Sequence, residues 1–321
     1  MKTAAPSVAI RALTETDLPE AERVFRLAFA TFLGAPEPET FWSDRDYVRG
    51  RWQAPHVIAF AAEMGGELVG SNFATRWGSV GFFGPLTIRP DLWDRGIGAR
   101  LVEAVTASFE EWGTRHAGLF TFAQSAKHVG LYQKFGYWAR FLTAIMSAPV
   151  RPNQTQTVRW SRYSDLTVEQ RVECLKSCRD LTGALYEGLD LSAEIQAVYA
   201  QELGETVLLG DIAGVGLDGF SVCHYGPRSE AGAGACFVKF GAVRPGSAAG
   251  ETFDSLLNAC ERLAVAEGMA RLLAGVNMAR HEAYRHLIGC GFRTEIQGIT
   301  MHRPNEPGYS RAAVFVLDDW R

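Results

Sequence analysis

Apolar residues recur along the first half of the chain with two periods, and the switches between them lay out the elements. Residues 8–12 read as a short strand. Leu18, Ala21, Val24, Phe25, Ala28 and Phe29 then fall at helical spacing behind the capping candidates Thr14 and Thr16. Gly34 to Pro38 break that helix, and an aromatic-rich helix is expected over 39–52, carrying Phe41, Trp42, Tyr47 and Trp52. Residues 56–63 and 67–77 form a predicted hairpin about Gly65-Gly66. A strand over 79–88 is interrupted by Gly84-Pro85, which cannot continue a regular ladder and is expected to splay it from its neighbour near Gly118. Ile97, Leu101, Val102, Val105, Phe109 and Trp112 mark one face of the next helix. A strand over 118–122, a short helix, and a closing strand over 137–148 complete this half.

Arg95-Gly96-Ile97-Gly98 lies where the helix carrying Ile97 should begin. A helix start leaves its first amide hydrogens unpaired and carries partial positive charge. Glycines there let a bulky anion approach the backbone, so the loop suits a phosphate or pyrophosphate. It is not a P-loop, because Ala99-Arg100 replaces the required Lys and Ser or Thr. It is not a dinucleotide fingerprint either, because Leu101 stands where the third glycine belongs.

Downstream, a strand leads into Ser125-Ala126-Lys127-His128-Val129-Gly130-Leu131-Tyr132-Gln133-Lys134-Phe135-Gly136-Tyr137. Strand, Arg-Gly-x-Gly, helix, strand, short helix and Leu-Tyr-x-Lys-x-Gly-aromatic, in that order, resemble the GNAT superfamily of N-acetyltransferases. The likeness is strongest over residues 80–145. Trp93 stands where that family usually has Gln or Arg, and Ser125 where it often has Asn. The resemblance implies acetyl-CoA as acyl donor, with the pantetheine arm in the splayed gap. The donor-binding residues it implies are Leu86, Thr87, Ile88, Trp93, Asp94, Arg95, Gly96, Ile97, Gly98, Ala99 and Ser125, with no metal. It also implies Tyr132 as the acid that protonates the leaving thiolate, and helices before the hairpin that cover the acceptor pocket.

After Pro149, Pro152, Asn153 and Gln154, which read as a linker, the order of elements repeats. A strand over 157–163 precedes a helical region over 167–203, a hairpin of 206–212 and 215–224, and a glycine-rich loop over 226–234. A strand over 236–243, a helix over 251–267, a strand over 272–276, a helix over 278–288 and a last strand follow. The expected fold is α/β (α+β): two tandem GNAT-like domains, each a mixed, mostly antiparallel central sheet with a splayed strand pair flanked by helices. Residues 1–149 form the expected donor-binding domain, and 150–321 a degenerate copy whose tail, 312–320, adds a strand. Matching Gly291-Phe292 to Gly136-Tyr137 puts Leu287 where the first copy has Tyr132, with Tyr284 a turn earlier. The second loop, 244–250, lacks the Arg-Gly-x-Gly order, so one donor per chain is expected, in the N-terminal half.

At 321 residues and 47% apolar, the chain suffices for two cores. A net charge of -4 with both signs interspersed shows no basic stripe for nucleic acid. Cys174, Cys178, Cys223, Cys236, Cys260 and Cys290 include no Cys-x-x-Cys pair and are expected as reduced, mostly buried thiols. Charges interrupt every apolar run before membrane length, and Arg11, Glu15 and Asp17 break any signal-like N-terminus. The expected setting is cytoplasmic.

Acetyl transfer needs a neutral amine and a stabilised leaving thiolate. No Glu lies between Ser79 and Ile88, where some family members carry a base. Glu63, Asp44, Asp46, Asp318, Asp319 and a water chain remain open as alternatives, and His128 reads best as a satisfied surface histidine. The expected activity is acetyl-CoA-dependent N-acetyl transfer to a primary amine of a small molecule by direct attack. The expected partners are that amine, no nucleic acid and no membrane, with a homodimer left open. The alternatives are a non-catalytic acyl-CoA sensor of the same fold and an aminoacyl-transferase on a tandem GNAT-like fold. The latter calls for a basic groove that the charge balance does not supply.

Overall fold

A computed structural model describes residues 7–151, 159–211 and 216–321. The N-terminal half runs β1 (Val8–Ala12), α1 (Leu18–Leu33), α2 (Arg49–Gln53), β2 (Val57–Met64), β3 (Glu67–Trp77), β4 (Val80–Phe83), β5 (Thr87–Ile88), α3 (Ile97–Glu111), β6 (His116–Thr121), α4 (Ala126–Gln133) and β7 (Trp138–Pro149). The C-terminal half runs β8 (Ser161–Arg162), α5 (Val168–Leu185), α6 (Ser192–Ala200), β9 (Gly204–Asp211), β10 (Gly216–Gly226), β11 (Gly232–Val243), α7 (Ala249–Ala266), β12 (Arg271–Asn277), α8 (His281–Gly289), β13 (Arg293–Arg303) and β14 (Val316–Leu317). The expected linker lies largely outside the described residues, as do the first two residues of the strand expected over 157–163 and the turn of the hairpin after 211.

The periodic segments form as patterned. α1 buries Leu18, Ala21, Val24, Phe25 and Ala28 and ends at Gly34 in the left-handed region (φ 68°). The expected helix over 39–52 shrinks to α2. Trp42 sits at φ 51°, outside helical space, and the Asp46 carboxylate accepts the amides of Val48 and Arg49, starting a new turn there.

Among the described residues all the strands belong to one 14-stranded sheet, ordered β1-β2-β3-β4-β6-β13-β7-β12-β11-β10-β9-β8, with β5 on β3 and β14 on β11. The two halves exchange their last strands. β13 pairs with β6, from Ile299↔Thr121 to Arg303↔Ala117, and β7 pairs with β12, from Asn277↔Thr143 to Arg271↔Pro149. The closing strand expected over 137–148 therefore does not close the N-terminal sheet. Its place beside β6 is taken by β13, and β7 reaches the N-terminal strands only through it. Both strands present backbone groups of the same antiparallel ladder, so side-chain pattern does not distinguish them.

β4 runs parallel to β6 only from Val80↔His116 to Phe82↔Gly118. The chain then leaves β6: the Gly84 amide donates to the Phe73 carbonyl, and β5 pairs back onto β3 at Ser71↔Thr87 and Gly70↔Ile88. The interruption expected at Gly84-Pro85 thus opens a wedge between residues 84–86 and the end of β6.

Candidate functional site

The wedge opens into a cavity of about 790 Å³ that runs from the α3 N-terminus past α4 to α1 and the 42–47 loop. Gly96 caps α3 in the left-handed region (φ 78°), where glycine carries no Cβ penalty. A Cβ on Gly98 would touch Leu131, Ile88 and Leu86, all of which line the cavity, so glycine keeps that floor low. The first amides of α3 have no partner within their own helix and face this open end.

Leu86, Ile88, Trp93, Asp94, Arg95, Gly96, Ile97, Gly98, Ala99, Ser125 and Tyr132 all line the cavity. Of the residues singled out from sequence, Thr87 stands apart. It is buried and its hydroxyl lies 3.1 Å from that of Ser71, on the far side of β5. Trp93, in the usual Gln or Arg position, donates its indole N–H to the Ile88 carbonyl at 2.8 Å. Lys127 sits over that ring at 5.7 Å and pairs with Asp94 at 2.6 Å, fastening α4 to the loop.

Tyr132 is buried, with its ring edge-on to Phe83 at 5.7 Å. Burial pushes its phenol well above the usual tyrosine range, against a smaller opposing hydrogen bond with Thr121, so the proton stays on. His128, one turn earlier on α4, is half-buried rather than free on the surface. It lines the cavity with its ring 5.2 Å from Phe32. Burial first, and Lys127 second, lower its pKa and favour the neutral imidazole.

None of the carboxylates weighed as a base from sequence lines the cavity. Glu63 pairs with Arg11 at 2.7 Å, and Asp46 accepts backbone amides. Asp44 accepts the Ala233 amide, Asp318 pairs with Arg280 at 2.5 Å, and Asp319 pairs with Arg321 at 3.3 Å. Sequence reasoning missed Arg45, Glu295, Ile296 and Arg321. They reach the cavity through the 42–47 loop, the exchanged strand β13 and the tail. Only the aromatic neighbours of Arg45 offered a signal.

Around β11 and β12 the wedge recurs in a closed form. These strands are parallel from Ala235↔Arg271 to Val238↔Ala274 and then part. β14 fills the opening, antiparallel to β11 at Ala242↔Val316 and Gly241↔Leu317. Phe315 lies against Gly250 near the α7 N-terminus, and Asp319 packs on Gly275 of β12. Among the described residues no group of His, Cys, Asp or Glu could hold a metal, no helix is long and apolar enough to cross a membrane, and the six cysteines are free thiols.

Residues 21–137 match the model of the family described as Acetyltransferase (GNAT) family. No curated protein matches the chain significantly. Solved structures do. A Pyrococcus horikoshii protein assigned as an acetyltransferase superposes with a TM-score of 0.68 at 12% identity, covering 98% of this chain and 95% of that one. A GCN5-related N-acetyltransferase from Sphaerobacter thermophilus gives 0.58 at 14% identity, covering 92% and 95%. A tandem GNAT protein from the clavulanic acid biosynthesis pathway gives 0.56 at 12% identity, covering 92% and 98%. At such identities the likeness is one of fold.

Proposed function

We propose, for a chain whose residues 21–137 match the GNAT acetyltransferase family model, that it is an N-acetyltransferase taking acetyl-CoA as donor and the primary amine of a small molecule as acceptor. The observation that carries this reading is the continuity of the cavity. It joins the α3 N-terminus, the β4–β6 wedge and the Tyr132 and His128 side chains in one space. The residues fit the donor: amides at a glycine-lined helix start suit a pyrophosphate, and the wedge leaves strand backbone for an extended arm. Bound there, the donor supplies an activated thioester carbonyl.

In this reading the protein does three things. The loop over Trp93–Ala99 and Ser125 position the phosphates, while Leu86, Thr87 and Ile88 form the strand along which the arm lies. Tyr132, kept protonated by burial, donates to the sulfur as it leaves. His128, kept neutral, takes the proton from the attacking amine; Glu295, a carboxylate in the same wall, is held by Arg271 and by Ser147 at 2.7 Å.

Residues 1–149 are assigned the donor site, and 150–321 the opposite wall. The filling of the second wedge by β14 supports one donor per chain. Release of coenzyme A in the presence of an amine panel, paired with calorimetric titration, tests both points. Turnover with some amine and saturation at one acetyl-CoA per chain are expected. Binding without turnover across the panel would favour an acyl-CoA sensor, and a stoichiometry of two would place a donor in the second half.

A further inference from the structure

We propose that the acceptor carries a carboxylate as well as its amine, and that Arg45 and Arg321 receive it. This rests on the acetyltransferase reading and specifies its acceptor. The end of the cavity away from the α3 loop is aromatic, with Phe25, Phe29, Trp42 and Tyr47 in its wall. Two guanidiniums enter that wall from separate parts of the chain.

Arg45 lies over Trp42, with its Cζ 5.0 Å from the ring centroid. Its nearest carboxylate, Asp44, is at 4.0 Å and accepts the Ala233 amide. Arg321 lies over Phe237 at 3.8 Å, with Asp319 at 3.3 Å. The Arg321 carbonyl accepts from Arg51, which also donates to the Gly84 carbonyl at 2.6 Å. Arg321 is thereby tied to the bulge at the wedge.

Among the described residues neither guanidinium makes a hydrogen bond, although Nε of Arg45 and both Nε and Nη2 of Arg321 are buried. Buried donors ordinarily find partners. Ring stacking holds each fork in place, the ion pairs to Asp44 and Asp319 reach only Nε and lack hydrogen-bond geometry, and a planar carboxylate matches the N–H edge that remains. Of the other charges of the wall, Asp94 pairs with Lys127 and Glu295 with Arg271, while Arg95 on the α3 loop and Lys134 at the end of α4 have no ion pair among the described residues. The donor's phosphates have the α3 loop at the opposite end. The aromatic wall adds that the group between amine and carboxylate is apolar or aromatic, as in an amino acid with a bulky side chain or an aromatic amino acid isomer.

The test uses matched acceptors. Phenylalanine, phenylalaninamide and phenethylamine, and 4-(aminomethyl)benzoate beside 4-(aminomethyl)benzamide, are compared for kcat/KM in coenzyme A release at saturating acetyl-CoA. A preference of 10-fold or more for the carboxylates is expected, shrinking towards unity in Arg45→Gln and Arg321→Gln through a rise in KM. Arg321→Lys, which keeps charge, should retain part of it and guards against loss of the packing on Phe237. Equal or better turnover of amides and amines would overturn the proposal. So would variants whose main defect is weaker acetyl-CoA binding, since the guanidiniums would then serve the donor. If no amine turns over, the acetyltransferase reading fails instead. Calorimetry of N-acetylphenylalanine against its amide, on protein saturated with coenzyme A, then reads the anion site directly, and equal binding of the two would overturn it.

Discussion

Arg51 and Glu230, 179 residues apart, form a buried two-pronged pair: Nε donates to one carboxylate oxygen at 2.8 Å and Nη2 to the other at 3.0 Å. The same guanidinium donates to the Gly84 and Arg321 carbonyls, so one side chain clasps the wedge, the 226–232 turn and the tail. Lys239 adds a second cation 2.9 Å from Glu230, and bridges to Glu194 at 3.1 Å. Burial alone would raise the Glu230 carboxyl; Arg51 and Lys239 outweigh it and hold it well below the usual range.

Arg51→Ala is therefore expected to destabilise strongly. Removing one partner of a buried pair leaves an uncompensated charge and costs about 3–5 kcal/mol. Here two backbone carbonyls also lose their donor. Chemical denaturation checks it, and a loss under about 1 kcal/mol would show that the clasp behaves as a surface pair.

Gly98→Glu should leave the fold intact and remove acetyl-CoA binding. The new carboxylate would lie on the cavity floor beside Leu131 and Ile88, where the anion is expected. Unchanged calorimetric affinity in the folded variant would move the phosphates elsewhere.

Tyr132→Phe removes one hydroxyl and keeps the packing on Phe83. The expected outcome is a fall in kcat of about 10²–10³, with little change in donor affinity. Wild-type turnover would reduce Tyr132 to a core aromatic.

His128 works as a base only when neutral. Its pKa lies below the ordinary 6.5, so kcat/KM should hold down to that pH and fall only as pH drops through the lowered value. His128→Gln should lower kcat/KM and flatten this acid limb. A variant with the same limb would assign it to the acceptor amine or another group.

Three buried imidazoles set a stability profile. Burial lowers His116 to about 3, and His302 and His224 to about 4. Nearby positive groups add to the lowering in all three, while Glu230 and Glu194 oppose it for His224 and the hydrogen bond to the Glu306 carbonyl opposes it for His302. The folded pKa values lie below the unfolded 6.5, so the unfolded chain binds more protons between them. Their stabilisation is complete above about 6.5 and is lost as pH falls towards 4, with a slope of up to about 1.4 kcal/mol per pH unit for each imidazole. The melting temperature should drop between pH 7 and pH 5, and a flat profile over that range would contradict it.

What the sequence determined by itself is local. The period of apolar positions placed α1, α3, α7 and most strand segments, because each element's buried face is written at 3.6 or 2 residues. Gly84-Pro85 marked where the ladder fails, and Arg95-Gly96-Ile97-Gly98 marked the start of α3, because these are properties of single backbones. It could not say that β13 rather than β7 lies beside β6. Backbone ladders carry no residue identity, and the two final strands have interchangeable patterns. The break at Asp46 depends on its side chain accepting the amides of Val48 and Arg49, which outcompetes an otherwise helical pattern. His128 looked like a surface residue until α4 was seen facing Phe32 across the cavity. The far wall was the least legible: Glu295 and Arg321 arrive on an exchanged strand and on a tail fastened by β14 and by Arg51. Their place in the site is set by long-range pairing and burial that no nearby residue encodes.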